Sequence, residues 1–433
     1  MRLSRRRFAG ALALMPLAGQ VGAAGDRELP VVTGWMRLIL ELVRHTPTYS
    51  PPVASRAFAC LGIAGWEVVA GMVPGAVSMA GQINAFGAPP APVGGIDRAV
   101  ALQAAYAAGA RAFFGNTGPT GQRAMAAMER RLAAQAGEGV AQDVAARSVA
   151  WGQAVAAHVA DWSEGDGGAV VENMGFPQDW ALTPGPANWV PTSTIAQQQA
   201  PLLPHWGRNR PFAMPAPNAC PLPPPPAYSE DPGSEFYREA LEVYEVSLAL
   251  TPEQEAIARF WSDDPMLSPT PPGHWVSIVL GIAEEQGMEA PALIDVLMRL
   301  GVGMADGFIG CWYSKYEYDL LRPVTYIRRV IDANWQPILI TPPFPEYPSG
   351  HSTQSGAAEA VLEAYFGADF AFADATHEDD GMAARTYPSF RAAAEEAAIS
   401  RLYGGIHFRA AIALGLAQGR CIGGHATGLQ TWT

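Results

Sequence analysis

Three short segments in the second half of the chain carry cations and histidines at spacings that could bind an oxyanion. In the first segment, Arg322 follows Lys315 by seven residues, and Pro323 comes next. Because seven residues make two helical turns, the pattern predicts that both cations lie on one face of a helix that Pro323 ends. Apolar neighbours such as Leu321 predict that this face points inward. Two inward cations are unfavourable unless an anion neutralises them; a solvated charged face is the alternative.

The second segment is the run Pro348, Ser349, Gly350 and His351, which leads into a predicted helix over residues 352–366. The free N–H groups at a helix start bind oxyanions, Gly350 lets the backbone approach closely, and the Ser349 hydroxyl adds a donor. His351 could exchange a proton with a group bound there. A plain helix cap with an incidental histidine is the alternative interpretation.

The third segment places His407 six residues after Arg401, with a break at Gly404 and Gly405 between two predicted helices. The planar guanidinium of Arg401 matches an oxyanion in a bidentate manner. A histidine at the start of a helix tends to stay neutral because the helix dipole opposes its protonation. A neutral imidazole can act as a nucleophile or a metal ligand.

In this order the three segments resemble the pattern of the type 2 phosphatidic acid phosphatase and vanadium haloperoxidase superfamily, with a likeness that extends from residue 236 to 433. The resemblance implies an all-α fold built from helical bundles of the vanadium chloroperoxidase and acid phosphatase type. The matching residues are Lys315, Arg322, Pro323, Pro348, Ser349, Gly350, His351, Ser400, Arg401 and His407.

The resemblance also implies a role for each residue. His407 would bind vanadium axially, or attack phosphorus in a phosphatase, and His351 would be the opposing acid or base. With vanadate as cofactor, Lys315 would polarise bound hydrogen peroxide for attack by a halide. A phosphatase would need no cofactor and would act on a phosphate ester. The oxyanion would be surrounded by Lys315, Arg322, Ser349, the Gly350 N–H group and Arg401.

Two aromatic residues favour the peroxidase. Trp312 and Phe344 are similar to aromatics that line the halide side in chloroperoxidase-like members, although both are also typical core residues. The surrounding sequence looks more like soluble bacterial haloperoxidases than membrane lipid phosphatases. We therefore predict a vanadate-dependent haloperoxidase-like enzyme, with a soluble periplasmic acid phosphatase as the alternative.

The chain departs from the family pattern at Ala411, where an aspartate usually supports the axial histidine. Loss of this carboxylate suggests a third hypothesis, a protein that binds an oxyanion without turnover. Asp264 is a candidate outer residue, since chloroperoxidase-like proteins place an aspartate here to pair with the third-segment arginine. An exposed aspartate at a helix end is the alternative.

The other histidines are interpreted as structural or incidental. His274 lies beside Trp275 at a predicted helix start, and an outer role near the site is the alternative for it. The acidic run 378–380 predicts a solvated loop, with calcium binding as the alternative. The histidines without a partner at a ligand spacing are His45, His158, His205, His377 and His425.

Helical periodicity dominates the elements that must position these residues. Alternating apolar and polar runs are few, so strands should be scarce. We divide the chain into an N-terminal helical region over 25–200, a proline-rich extended connector over 201–233 and a catalytic bundle over 234–433. The clearest predicted helices cover residues 97–114, 120–136, 140–162, 236–249 and 252–261.

Residues 1–24 resemble a twin-arginine export signal. Arg5, Arg6 and Arg7 precede an uncharged Ala/Leu-rich run over 9–24, which is shorter than the roughly 20 apolar residues of a spanning helix. A short membrane anchor is the alternative. No later stretch is interpreted as long and apolar enough to span a bilayer, which predicts a periplasmic or secreted protein.

The composition excludes other classes of protein. Only 16% of the residues are charged and 49% are hydrophobic, unlike a disordered chain. A net charge of -13 argues against nucleic-acid binding, so any anion must be held by a local cluster of cations. The cysteines lack a zinc or haem spacing and are interpreted as buried small residues with a single disulfide at most. They are Cys60, Cys220, Cys311 and Cys421.

Overall fold

The N-terminal half of the described chain is a set of long helices. The computed structural model describes residues 25–433, so the predicted export signal lies outside the described residues. Two short 3-10 turns, Asn173–Gly175 and Ala196–Gln199, follow the last of these helices. The helices are α1 (Gly25–Arg44), α2 (Pro51–Ala70), α3 (Arg98–Phe114), α4 (Pro119–Ala136) and α5 (Gln142–Glu164).

The C-terminal half adds eight helices and one small hairpin. The two strands are antiparallel, and Phe372 pairs with Tyr387. The elements are α6 (Glu235–Leu248), α7 (Pro252–Phe260), α8 (Thr270–Gln286), α9 (Ala290–Tyr318), α10 (Pro323–Val330), α11 (Gly350–Phe366), β1 (Phe372–Asp374), β2 (Arg385–Tyr387), α12 (Phe390–Tyr403) and α13 (Arg409–Thr427). The predicted all-α fold is confirmed.

Local signals in the sequence set the starts of several helices. The Asp97 side chain accepts a hydrogen bond from the Val100 N–H group at 3.1 Å and caps α3. Thr251 and Gln254 form a reciprocal capping box at the start of α7. These contacts satisfy backbone donors that have no partner within the helix.

Helix α9 is the central element, because helices from both halves of the chain pack against it. Its contact with α2 is close: a Cβ atom at Gly301 would lie 2.9 Å from the Ala59 Cα atom, and one at Gly62 would lie 2.8 Å from the Met298 Cα atom. Glycine is therefore needed at both positions. Helix α9 ends at Tyr318, so its last turn carries Lys315 of the first segment.

Helix α2 corrects one expectation. It is long and apolar enough to cross a membrane, but 83% of its most apolar stretch is buried inside the protein. The prediction that no stretch after residue 24 reaches this length and apolarity was therefore wrong. Burial against α3, α5 and α9 is what a core helix of a globular protein shows.

The proline-rich segment 201–233 is mostly extended, but part of it enters the core. Met214 is fully buried, and the N–H groups of Phe212 and Met214 donate to the Asp306 carboxylate on α9 at 2.6 and 2.7 Å. A disulfide joins Cys220 in this segment to Cys421 on α13. These contacts fix the segment to α9 and α13 of the C-terminal half.

Candidate active site

The spacing predicted that Lys315 and Arg322 lie on one helix, but the structure places Lys315 on α9 and Arg322 at the start of the next helix. Helix α9 ends at Tyr318, Asp319 follows with a left-handed φ of 45°, and Arg322 caps the next helix, which begins at Pro323. Proline fits the first turn of a helix because its missing N–H group would have no partner there. The prediction that Pro323 ends a helix was wrong, yet both cations are buried.

The second segment forms the start of α11, as predicted. Ser349 is the N-cap, and its hydroxyl accepts a hydrogen bond from the Ser352 N–H group at 3.3 Å. Gly350 is the first residue of the helix. A Cβ atom at Gly350 would have its nearest described neighbour, the Trp312 ring, at 3.7 Å. The free N–H groups at the start of α11 are therefore a potential oxyanion-binding site.

His407 lies two residues before α13 rather than on its first turn. Its Nδ1 atom is 2.9 Å from Glu346 Oε1, and its Nε2 atom is 3.1 Å from the Arg322 Nη1 atom. Because a guanidinium can only donate, these partners assign the proton to Nδ1 and leave a lone pair on Nε2. Burial, followed by the charges of Arg322 and Lys315, holds the pKa of His407 well below its usual value.

Glu346 is the carboxylate that the sequence interpretation missed. The same oxygen that contacts His407 also accepts the Phe408 N–H group at 2.8 Å, and burial raises the pKa of Glu346 to about 8. Glu346 thus supplies to His407 the supporting carboxylate that the side chain of Ala411 lacks. The signal was a single acidic residue in the apolar run 342–348 directly before the second segment.

Lys315 binds the loop that carries Glu346. Its Nζ atom donates to the carbonyl oxygens of Pro345, at 2.8 Å, Glu346, at 3.0 Å, and Pro348. Burial lowers the pKa of Lys315 to about 7. The side chain is therefore positioned by main-chain carbonyls, which do not neutralise its charge.

The two arginines are also buried without a neutralising partner. Arg322 donates to Phe344 O at 2.8 Å and Ile406 O at 2.9 Å, while its Nη2 atom has no partner among the described residues. Arg401 donates to Ser400 Oγ at 2.9 Å and to Trp261 O. Burial lowers the pKa of each guanidinium to about 10.

None of these three cations has a carboxylate oxygen within 4.0 Å in the described part of the chain. The charges of Arg322, Lys315 and Arg401 all act on His407, so they converge on one region. Buried cations without a counter-charge are strongly unfavourable. The arrangement is therefore suited to an anionic ligand.

His351 lies on the first turn of α11 and belongs to the same region. Its Nε2 atom is buried, has no hydrogen-bond partner among residues 25–433, and lies 3.9 Å from Asp263 Oδ2. Burial, then the charge of Arg401, lowers the pKa of His351 well below its usual value. The neutral ring can accept a proton at its unpartnered Nε2 atom.

Trp312 and Phe344 contact each other, with ring centroids 4.9 Å apart. Phe344 is half-buried and covers the cations: the Lys315 Nζ atom lies 5.0 Å, and the Arg322 Cζ atom 4.9 Å, from its ring centroid. Trp312 is fully buried, and its indole N–H group donates to Leu202 O at 3.2 Å. Phe344 is thus the aromatic closer to the open side.

Asp264 is half-buried, and burial lowers the pKa of Arg401 although the charges of Asp263 and then Asp264 act against it. No salt bridge within 4.0 Å joins this pair in the described structure. The neighbouring residue Asp263 is fully buried instead, and it contacts His274 and His377. His377 therefore has a partner that sequence spacing did not reveal.

The chain is similar to known proteins over most of its length. A family model described as the VCPO second helical-bundle domain matches residues 295–431, which include all three segments. The crystal structure of the first bacterial vanadium-dependent iodoperoxidase superposes with a TM-score of 0.84 at 35% sequence identity, over 94% of this chain and 97% of that chain.

More distant structures share the fold. Holo and apo crystal structures of a bacterial vanadium-dependent chloroperoxidase superpose with TM-scores of 0.65 and 0.67, each at 17% identity. They cover 89% and 88% of this chain, and each match covers 93% of the other chain. No curated protein sequence matches the chain at a significant level.

Proposed function

Because the chain belongs to the vanadium-dependent haloperoxidase family, we propose that it oxidises iodide with hydrogen peroxide, using a vanadate bound at His407. Iodide is the proposed halide because the iodoperoxidase is 35% identical over nearly the whole chain, whereas the chloroperoxidase structures share the fold alone. The observation that carries the proposal is the group of three buried cations without a carboxylate partner in the described chain.

The residues of this region fit a vanadate. Arg322 has a buried Nη2 atom without a partner among the described residues, and Gly350 begins α11, where backbone N–H groups are free. An anion of charge two or three would neutralise Lys315, Arg322 and Arg401. The unprotonated Nε2 atom of His407, which accepts a hydrogen bond from Arg322 Nη1, is the donor that a metal ligand must present.

Each residue then has a defined task. Arg322 and Arg401 would neutralise the oxyanion, and the Ser349 hydroxyl and Gly350 N–H group would donate hydrogen bonds to it. Glu346 holds the His407 ring through Nδ1, as outer carboxylates do for metal-bound histidines. Bound vanadate supplies a Lewis-acidic centre that activates hydrogen peroxide without a change in oxidation state.

The reaction consumes a proton, and His351 is placed to handle it. Iodide attacks a peroxide oxygen and the O–O bond breaks, so that iodide, hydrogen peroxide and one proton give hypoiodous acid and water. Neutral His351, with an unpartnered Nε2 atom, would first accept a proton from hydrogen peroxide. It would then return that proton to the leaving oxygen, and the additional proton that the overall reaction consumes would come from solvent. Lys315 would keep the loop of Glu346 in place.

The two alternatives raised by the sequence have less support. Family membership favours the peroxidase over an acid phosphatase. The hypothesis of binding without turnover depended on the missing carboxylate at Ala411, and Glu346 contacts His407 Nδ1 in its place. The proposed function therefore needs no aspartate at position 411.

The direct test is peroxide-dependent oxidation of each halide by purified protein, followed as triiodide formation or as bromination of a dye. We expect iodide oxidation only after vanadate is added to chelator-treated protein, slower bromide oxidation, and inhibition by phosphate. Absence of halide oxidation with vanadate, together with hydrolysis of an aryl phosphate by the vanadate-free protein, would make the protein a phosphatase instead.

The two histidines should separate binding from turnover. We expect His407→Ala to lose vanadate binding and at least 100-fold in activity, whereas His351→Ala should bind vanadate but turn over at least 100-fold more slowly. Vanadate binding is measured by equilibrium dialysis, and the exposed His205→Ala variant is the control. Activity that survives in His407→Ala would contradict the assignment.

We also propose export by a twin-arginine pathway, on the pattern of residues 1–24. Replacement of Arg6 and Arg7 by lysine should retain the precursor in the cytoplasm, because this route requires the arginine pair. Cell fractionation with an antibody against the protein measures the result. Unchanged export of the double variant would contradict the proposal.

A further inference from the structure

A second cluster of titratable side chains lies next to His351. Asp263 follows α7, His274 lies on the first turn of α8, and His377 lies in the loop between β1 and β2. All three are less than 5% exposed. Their carboxylate and imidazole ligand atoms lie within 4.8 Å of one another. Three separate segments of the chain thus meet at one buried point.

The distances within this cluster suit ligands of a shared ion. His274 Nδ1 lies 3.0 Å from both oxygens of Asp263. His377 Nε2 lies 3.4 Å from Asp263 Oδ1, without hydrogen-bond geometry, and it has no other partner among the described residues. A tetrahedral zinc ion holds its nitrogen and oxygen ligands about 3.3 Å apart. The unpartnered nitrogen of His377 therefore points where an ion would lie.

The outer nitrogen of each histidine contacts a further carboxylate. His274 Nε2 lies 2.8 Å from Asp374 Oδ2, and His377 Nδ1 lies 3.1 Å from Asp380 Oδ2. Metal-binding histidines almost always donate their second N–H group in this way, which fixes the ring and its tautomer. The inner nitrogen of each ring faces Asp263, and an ion bound there would take the place of the proton on His274 Nδ1.

The charges also favour a cation. Asp263 and Asp374 are both buried, and no lysine or arginine lies within 4.0 Å of either carboxylate in the described chain. Asp380 is neutralised separately by Arg44, at 2.7 Å. Two buried negative charges remain beside the two imidazoles, and a dication that replaces the proton of His274 Nδ1 would balance them.

We propose that Asp263, His274 and His377 bind a transition-metal dication of the zinc class. Two imidazoles and one carboxylate are donors that zinc accepts, and they leave one position of the tetrahedron free. The ion would fix three segments together and would hold Asp263 at its 3.9 Å separation from His351 Nε2. This site is distinct from the vanadate site, and the proposal stands independently of the halide.

The test uses the mature full-length protein, stripped with a chelator and titrated with Zn²⁺ and with Co²⁺. We expect one equivalent of Zn²⁺ per chain by elemental analysis, and a Co²⁺ absorption spectrum of low-coordinate type. His377→Gln should bind Zn²⁺ at least tenfold more weakly, while the exposed His205→Gln should bind it like the wild type. His407→Ala should keep the Zn²⁺ and lose vanadate, which separates the two sites.

The proposal is wrong if the stripped wild-type protein binds no stoichiometric Zn²⁺ or Co²⁺, a result that does not depend on any variant. Equal Zn²⁺ affinity in His377→Gln, with the fold checked by circular dichroism, would also overturn it. The cluster would then be a network of hydrogen-bonded ion pairs. In that case Asp263 and Asp374, against the effect of burial, raise the pKa of His274 to about 10, and the protonated ring supplies the balancing charge.

Discussion

The carboxylate that supports His407 comes from a loop, through Glu346, and not from the helix that follows the histidine. The two residues are separated by 61 positions in the chain. A carboxylate at either place can accept a hydrogen bond from the Nδ1–H group. The imidazole therefore keeps its support, although a different residue supplies the carboxylate. The alanine at position 411 is fully buried and leaves no room for a hydrated charge.

We predict opposite outcomes for two substitutions at these positions. Glu346→Ala should lower vanadate affinity and kcat by about 10- to 100-fold, because the ring loses its orienting acceptor. Ala411→Asp should bring no gain in activity and should lower stability by roughly 3 kcal/mol, because it buries an unpaired charge. Halide oxidation and thermal unfolding measure the two effects. A sharp rise in the activity of Ala411→Asp would mean that Glu346 does not replace the usual aspartate.

Lys315 should make the stability of the anion-free protein depend on pH. Burial lowers its pKa from 10.5 to about 7, so between these values the unfolded chain holds a proton that the folded protein lacks. The free energy of unfolding should therefore rise with pH across this window. The cost of burying the charged lysine should be fully present below it. Relative to Lys315→Met, the Tm of the wild type should increase from pH 7 to pH 9.

Saturating phosphate or vanadate should flatten this pH dependence, because a bound anion favours the charged lysine. The comparison with Lys315→Met removes the titration of all other groups. Parallel Tm profiles for the two anion-free proteins would show that the lysine does not titrate in this range.

At the scale of elements, the contact between α11 and α13 positions the start of α11. The two helices pack so closely that a Cβ atom at Gly419 would lie 2.0 Å from the Thr353 carbonyl oxygen. Gly423 and Gly356 make similar contacts across the same interface, at 2.6 and 2.5 Å from backbone oxygens. Small residues here determine where Ser349 and Gly350 lie relative to His407.

Gly419→Ala should therefore destabilise the protein by roughly 1–3 kcal/mol, because helix backbones must separate to admit the methyl group. Activity should fall as well, because the N-terminus of α11 forms part of the site. Gly424→Ala on the same helix is the matched control: its Cβ atom would meet nothing within 4 Å, and stability should rise by about 0.5–1 kcal/mol. Equal unfolding temperatures for both variants would contradict the close packing.

At the scale of the whole molecule, the catalytic segments depend on the N-terminal half. Helix α9 carries Lys315 near its end and packs along α2, with Gly301 against Ala59. The segment 201–233 adds a disulfide to α13 and hydrogen bonds to Asp306. A fragment without α2 would expose the apolar surface of α9 to water.

We predict that residues 234–433 expressed alone form aggregates or unfold without a cooperative transition. Coexpression with residues 25–233 should restore a soluble complex, because the missing surface of α9 is then covered. Size-exclusion chromatography and near-ultraviolet circular dichroism give the measurement. A monodisperse, cooperatively folding fragment 234–433 would show that the catalytic bundle is independent.

The sequence by itself determined the local features. The residue types of the three segments and their order in the chain indicated an oxyanion, and the all-α fold was confirmed. Predicted helices over 97–114 and 252–261 agree within a residue with α3 and α7. Such features depend on periodicity and capping over a few neighbouring residues, which the sequence displays directly.

Only the tertiary structure decided which distant residues meet. It placed Glu346 on His407, brought His377 to Asp263 across 114 positions, and separated Lys315 from Arg322 by a helix break. These contacts follow from how the helices pack around α9 and from loops that carry no periodic signal. A buried charge can be satisfied by any residue that packing brings within reach, so its partner cannot be assigned from spacing along the chain.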